Sequence, residues 1–396
     1  MTADASRDIL PEPPDDLKTL SRALSGLLRE RIRQNGPMPF SEYMEAALYE
    51  PGLGYYSAGL QKLGPGGDFT TAPELGELFG ACVARQIEQV TSELGQVSIL
   101  EVGAGSGRLA AVLLRRLANG KAGANIQYRI LERSAHLRQV QAETLASEAP
   151  QLAGQVSWLE QPPEEAWNGV IVANEVVDAL PVERFCKHEG QLLQMNVMAD
   201  GEAFDWLPGP PRSMLSETLK QRLGQAFEDL PEGYCSEINL TLAPWLEGLT
   251  SSLEKGCVLL IDYGYPRQDY YHPQRCEGSL ICHYRHRAVD APFRWPGLQD
   301  ITAFVDFTAL AEAGHACGLD CAGFTSQAMF LLGAGLDDEL AGLAGLPVDD
   351  QMRLAAEARQ LTMPGEMGEK FKAMALTRGL DMPLRGFEAL DQRHRL

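Results

Sequence analysis

Residues Val97 to Gly107 read VSILEVGAGSG. An apolar strand carries an acid, Glu101, near its end and runs into glycines at 103, 105 and 107. Glycine lets a chain turn tightly after a strand and bring its backbone against a ligand with no Cβ in the way. The spacing is GxGxG, whereas a dinucleotide site uses GxGxxG and seats a pyrophosphate on a helix amino end. An acid ahead of the turn would repel a pyrophosphate but suits a cation, because it can offset a sulfonium or hold an amino group. The stretch therefore favours S-adenosylmethionine over NAD, with Glu101, Gly103, Gly105 and Gly107 as the candidate contacts.

Outward from this turn, strands and helices alternate. A helix over 107–119 buries Leu109, Val112, Leu113 and Leu117. A strand over 127–131 ends at Glu132, a helix follows over 134–147, and further strands are expected at 154–159 and 168–173. Short strands separated by helical patterns predict an α/β fold with a doubly wound, Rossmann-like parallel sheet. An acid at the end of the second strand can accept both ribose hydroxyls, which is the role expected of Glu132; the alternative is a cap for the helix starting at Ser134. Glu160, ending the third strand, is a candidate for the adenine end. The fourth strand runs into Asn174-Glu175-Val176-Val177-Asp178-Ala179-Leu180-Pro181 at the ligand-binding edge of the sheet. Asn174 would lie beside the donor, and Asn174, Glu175 and Asp178 could orient a nucleophilic nitrogen or take up its proton. No Ser-His-Asp or Cys-His arrangement competes at these strand ends.

The remaining pattern divides the chain. Residues 1–16 form an acidic, proline-bearing tail, and 17–95 a region of helices at 17–34, 40–48 and 73–94 around a glycine-rich loop. The sheet region 96–181 is followed by an insertion over 182–255. The core resumes over 256–330, with a strand at 257–261, a loop insertion at 264–300, a helix at 302–314 and a strand at 317–324. A helical insertion fills 331–366, the last core strand lies within 367–380, and 381–396 is a tail.

Fifty-four acids against thirty-four bases give a net charge of −20. Such a surface repels nucleic acid, and no long Lys/Arg cluster overrides it. No apolar run reaches the roughly 18 residues of a membrane span. The acidic beginning has neither secretory nor transit-peptide character, so a cytoplasmic protein is expected. Eight scattered cysteines without a CxxC pair read as reduced thiols. Cys276, Cys282, His283 and His286 crowd one segment, but their spacing matches no common zinc finger and Arg275, Arg285 and Arg287 lie among them. No metal site is expected there. The aromatic stretch from Tyr270 to Trp295 reads either as a partner-binding ridge or as packing for the insertion.

Several separated motifs occur together in one order. They are Gly67-Asp68-Phe69-Thr70-Thr71-Ala72-Pro73-Glu74, the Glu101–Gly107 turn, Asn174 to Pro181, Asp262-Tyr263-Gly264, and Asp300-Ile301-Thr302-Ala303-Phe304-Val305-Asp306-Phe307, with Met367 to Lys372 later. In this the chain resembles the MidA-like/NDUFAF7 family from about Arg31 to Leu376. The resemblance implies a seven-stranded class I S-adenosylmethionine-dependent methyltransferase core with an N-terminal helical extension and large mixed and helical insertions. It implies that Asp68, Phe69 and Thr70 close over the cofactor, that Gly103, Gly105 and Gly107 bind it, and that Asn174, Glu175 and Asp178 line the junction with the acceptor. Asp262 and Tyr263 would flank that junction. The mitochondrial member of the family methylates an arginine of a complex I subunit. A protein substrate with an accessible arginine, such as a respiratory-complex subunit, is accordingly expected, and a homodimer is plausible. Val176-Val177 depart from the aromatics of many relatives, which leaves a small-molecule methyltransferase as the alternative. A scaffolding protein that keeps the fold without the reaction is a further one.

Overall fold

A computed structural model describes residues 10–59, 71–120 and 126–396. The chain folds as two compact units, each assembled from separated stretches. One unit holds residues up to Phe69, Asp178–Thr241 and Gln268–Phe304; the other holds Thr70–Val177, Leu242–Arg267 and Val305–Leu396.

The second of these contains the doubly wound sheet. Its strands are β1 (Val97–Val102), β2 (Ile126–Leu131), β3 (Val156–Leu159), β4 (Trp167–Asn174), β5 (Leu253–Tyr265), β6 (Asp320–Ser326) and β7 (Phe371–Arg378). They lie in the order β6-β7-β5-β4-β1-β2-β3, and a two-residue strand, Val305–Asp306, pairs with the end of β5. From β5 across to β3 every pairing is parallel. β7 is antiparallel to both neighbours. The order reverses at β1 and β4, so a cleft opens at the carboxyl ends of those two strands, where open α/β sheets hold their ligands. Helices on both faces account for the near-continuous apolar strands. All six residues of β1 are buried, and Phe79, Ile99, Leu113, Tyr128 and Val172 share one core cluster.

Three expectations shift here for identifiable reasons. The helix read over 73–94 is two pieces, Ala72–Leu75 and Leu78–Leu94. The Glu357 carboxylate occupies the space where a Cβ on Gly76 would stand and accepts the Leu78 N–H at 2.7 Å, so the break is fixed from the helical insertion. The helix read over 302–314 begins at Phe307, because Asp306 caps it by accepting the Ala309 N–H at 3.0 Å and residues 300–302 are strand. The helical insertion is three helices, Gln327–Gly333, Leu336–Leu340 and Val348–Thr362. Arg85 of the Leu78–Leu94 helix pairs with Asp338 at 2.6 Å and Glu339 at 2.9 Å.

The other unit carries helices Asp15–Asn35 and Phe40–Tyr49 and a five-stranded antiparallel sheet. In that sheet Gln191–Asp200 pairs with Met38–Pro39, Glu183–His188 and Ala203–Gly209, and Cys235–Ile238 pairs with Glu183–His188. Phe40, Tyr43, Tyr55 and Val197 are core residues here, and Leu10 is buried beside Tyr284 and Leu298. The segment in which Cys282, His283 and His286 crowd together is a hairpin: Ile281–Tyr284 pairs with Arg287–Val289 on one side and Asp300–Thr302 on the other. Arg285 and His286 are its left-handed turn residues, with φ of 48° and 59°. The aromatic stretch packs inward, with Phe293 against Tyr43 and Trp206 and Tyr284 against Trp295.

The expectation of uniformly reduced thiols is corrected. Cys186 and Cys235 are register partners on adjacent antiparallel strands and form a disulfide, while the other six cysteines are free. Neighbouring strands bring two Cα atoms within disulfide reach irrespective of their 49-residue separation. Among the described residues no helix is long and apolar enough to cross a membrane.

Candidate functional site

The glycine turn leaves β1 with Gly103, Gly105 and Gly107 all at positive φ, 64°, 53° and 87°. An L side chain is strained there, so glycine is required by the path itself. A Cβ on Gly103 would stand 3.1 Å from Val176 Cγ2, and one on Gly107 would stand 3.0 Å from Gln141 Cα. The turn is thus pressed on by the loop after β4 and by the helix Ala135–Glu148. On its outer side, Ser106 donates its hydroxyl to Glu74, and Arg108 lies 3.8 Å from the same carboxylate. This places the described end of the 67–74 motif against the glycine turn. Asp68, Phe69 and Thr70 lie outside the described residues.

Glu101 is 3% exposed and accepts the Tyr128 hydroxyl at 2.6 Å. Burial pushes its carboxyl up to about 7 and the Tyr128 hydrogen bond partly opposes this. Tyr128 was not singled out from sequence, where it reads as one more apolar strand residue. Glu132 ends β2 and accepts the Ser134 N–H at 2.8 Å through Oε1 and the Gln141 amide at 3.3 Å through Oε2. The capping contact is therefore real, and the same carboxylate stands at the edge of the cleft. Glu160 is turned outward, its carboxylate 70% exposed and paired with Arg138 at 3.0 Å.

At the end of β4, Asn174 donates to the Glu175 carboxylate at 3.1 Å, and the Asn174 Oδ1 is buried with no hydrogen-bond partner among the described residues. Glu175 has φ 53°, an uncommon conformation for a non-glycine residue that favours functional sites. Asp262 of β5 holds this turn. It is 1% exposed; its Oδ2 accepts the N–H groups of Val176 and Val177 at 3.2 and 2.9 Å, and its Oδ1 accepts that of Tyr263 at 2.9 Å. Tyr263 packs edge-on to Phe371 of β7, ring centroids 5.4 Å apart. Asn174, Glu175, Asp262 and Tyr263 thus share one unit, whereas Asp178 belongs to the other, where its carbonyl accepts the Ala303 N–H at 3.0 Å.

A bare glycine turn and acids at the ends of β1 and β2 fit a cofactor with an amino group, a ribose and a cationic sulfur. Comparison with known proteins agrees. A family of S-adenosyl-L-methionine-dependent methyltransferases matches residues 82–325. The mouse protein arginine methyltransferase NDUFAF7, mitochondrial, is 30% identical over 383 residues, 88% of this chain and 83% of that one. The Drosophila melanogaster homolog is 26% identical over 397 residues, 93% and 88% of the two chains. A COG1565 superfamily member from Burkholderia thailandensis, crystallised with S-adenosyl-homocysteine, is 41% identical with a TM-score of 0.91, covering 98% of this chain and 100% of that one.

Fold and site define a class I methyltransferase that uses S-adenosylmethionine. Within that class the chain belongs to the MidA-like/NDUFAF7 family.

Proposed function

We propose that this enzyme transfers the methyl group of S-adenosylmethionine to a guanidinium nitrogen of an arginine in a protein substrate. The observation that carries the reading is the Asn174 Oδ1, a buried acceptor without a donor among the described residues, beside the Glu175 carboxylate. Both groups call for N–H donors, and a guanidinium brings five in a planar fork. The relatives named above as protein arginine methyltransferases support the same acceptor.

When bound, S-adenosylmethionine supplies the methyl group from its sulfonium. The glycine turn and Glu101 would hold the methionine half, and Glu132 the ribose. Asn174 and Glu175 would align the guanidinium nitrogen in line with the carbon–sulfur bond, so that the nitrogen–carbon bond forms as that bond breaks. A guanidinium pKa above about 12 keeps the attacking group charged at neutral pH. Glu175 then polarises it and takes its proton late, and positioning supplies most of the rate.

The test is methyl transfer from tritiated S-adenosylmethionine to proteins of a strain lacking the enzyme, with mass spectrometry locating the mark. Respiratory-complex subunits are the first candidates. Methylarginine in a protein band supports the reading, and label confined to small molecules overturns it. Asn174→Ala should cut turnover roughly a hundredfold with S-adenosyl-homocysteine affinity nearly unchanged, as loss of an interaction made only to the acceptor requires. The compartment is proposed to be the cytoplasm. The relatives are named mitochondrial and the Cys186–Cys235 bridge suits oxidising surroundings, so fractionation decides it. A homodimer is proposed as well, with light scattering as its test.

A further inference from the structure

We propose that Gln141 is the positioning residue that sets the ribose-facing carboxylate of Glu132 and, through it, the affinity for the adenosine half of the cofactor. The inference rests on the ribose reading of Glu132 given above.

The helix Ala135–Glu148 buries only Gln141 and Leu145. A fully buried primary amide on a helix that buries so little is costly unless every polar atom is met. In Gln141 they are met by three different elements of the cleft. Its Nε2 donates to the Gly105 carbonyl at 3.1 Å and to Glu132 Oε2 at 3.3 Å. Its Oε1 accepts the Trp158 indole N–H at 2.9 Å. The sense of the amide is dictated by chemistry: a backbone carbonyl can only accept and an indole N–H can only donate, so nitrogen must face the glycine turn and oxygen must face β3. Glu132 is thereby gripped through both oxygens, one by the Ser134 N–H and the other by Gln141. A carboxylate held in one orientation binds a pair of hydroxyls without first giving up rotamer freedom. The backbone is arranged to allow this grip, because a Cβ on Gly107 would stand 3.0 Å from Gln141 Cα. Gly107 is therefore needed for the approach of this helix as well as for the turn.

The test is calorimetric titration of the full-length protein with S-adenosyl-homocysteine and with its 2′-deoxyadenosyl analogue. In Gln141→Met the first ligand should lose about tenfold in affinity, the worth of one hydrogen bond to a charged group, while the deoxy analogue loses far less. Trp158→Phe, which frees the amide oxygen and leaves Gln141 in place, should show the same ribose-selective loss at smaller size and covers the case in which Gln141→Met does not fold. Equal losses for both ligands, or no loss for either, would make Gln141 a packing residue and overturn the proposal. Glu132→Gln separates the two readings. If it leaves the preference for the ribose ligand intact, the ribose assignment of Glu132 fails first. If it abolishes that preference while the Gln141 and Trp158 variants do not narrow it, only the positioning role falls.

Discussion

Glu101 carries its carboxyl in an interior that resists its charge. Its folded value, about 7, lies above the ordinary 4.5, so between those values the folded protein holds a proton that the unfolded chain releases. Its contribution to the stability of the cofactor-free protein is therefore full below about 4.5 and lost as the pH rises toward about 7. A cationic cofactor favours the ionised form and reverses the preference. Binding of S-adenosylmethionine at pH 6.5 should release a proton, and affinity should rise with pH through about 7; titrations in buffers of different ionisation enthalpy measure both. In Glu101→Gln the proton release should vanish. A second prediction at this scale concerns Gly107, which combines φ 87° with the close approach of Gln141. Gly107→Ala should lower stability by about 1–2 kcal/mol from the left-handed backbone alone, read by urea unfolding, and more if the helix must move.

Among the elements, the pairing of β4 with β5 decides the acceptor end of the site. Both strands run parallel to Ile261↔Asn174, after which Asp262 takes over by accepting the N–H groups of Val176 and Val177. A side chain thus extends the ladder by one turn and keeps Glu175 in its uncommon conformation. Asp262→Ala removes the acceptor of three backbone N–H groups, which should cost about 1–3 kcal/mol for each that stays buried and unmet. It should also lower kcat more than it weakens S-adenosyl-homocysteine binding, since the turn faces the acceptor; unfolding and steady-state assays on the same variant check the two parts. The hairpin of 281–289 shows what sequence misses at this scale. Its crowded Cys282, His283 and His286 gave no hint of a hairpin, yet alternation along two antiparallel strands sends Cys282 and Tyr284 inward and leaves His286 in the exposed turn.

For the whole molecule, the chain leaves the doubly wound unit after Val177, returns at Leu242, leaves again after Arg267 and returns at Val305. The disulfide lies in the unit built from the excursions and closes a 49-residue separation. Alkylation of the unfolded, unreduced protein should label six of its eight cysteines. Reduction should lower the unfolding midpoint, as expected for loss of a bridge worth about 2–4 kcal/mol. The net charge of −20 attracts an arginine-bearing substrate from a distance. KM for such a substrate should therefore rise several-fold as the Debye length shrinks from about 30 Å at 0.01 M salt to about 8 Å at 0.15 M.

The β1 strand, its three glycines, Glu101 and Glu132 were legible because the information is local. A near-continuous apolar run, a backbone that needs positive φ and an acid at a strand end each follow from neighbours in the chain. The reading of S-adenosylmethionine over NAD came from the same few residues. Gln141, Tyr128 and the Cys186–Cys235 bridge carried no such signal, and Asp262 stood out only through the family resemblance. Their roles depend on partners 9 to 86 residues away in the chain, and a buried glutamine in a helix looks like any surface glutamine until the packing is known. The sequence by itself determined the fold class, the cofactor turn and the acidic character of the protein. Only the tertiary structure decided which polar groups are buried together, because hydrogen-bond satisfaction in an interior depends on which strands and helices end up side by side.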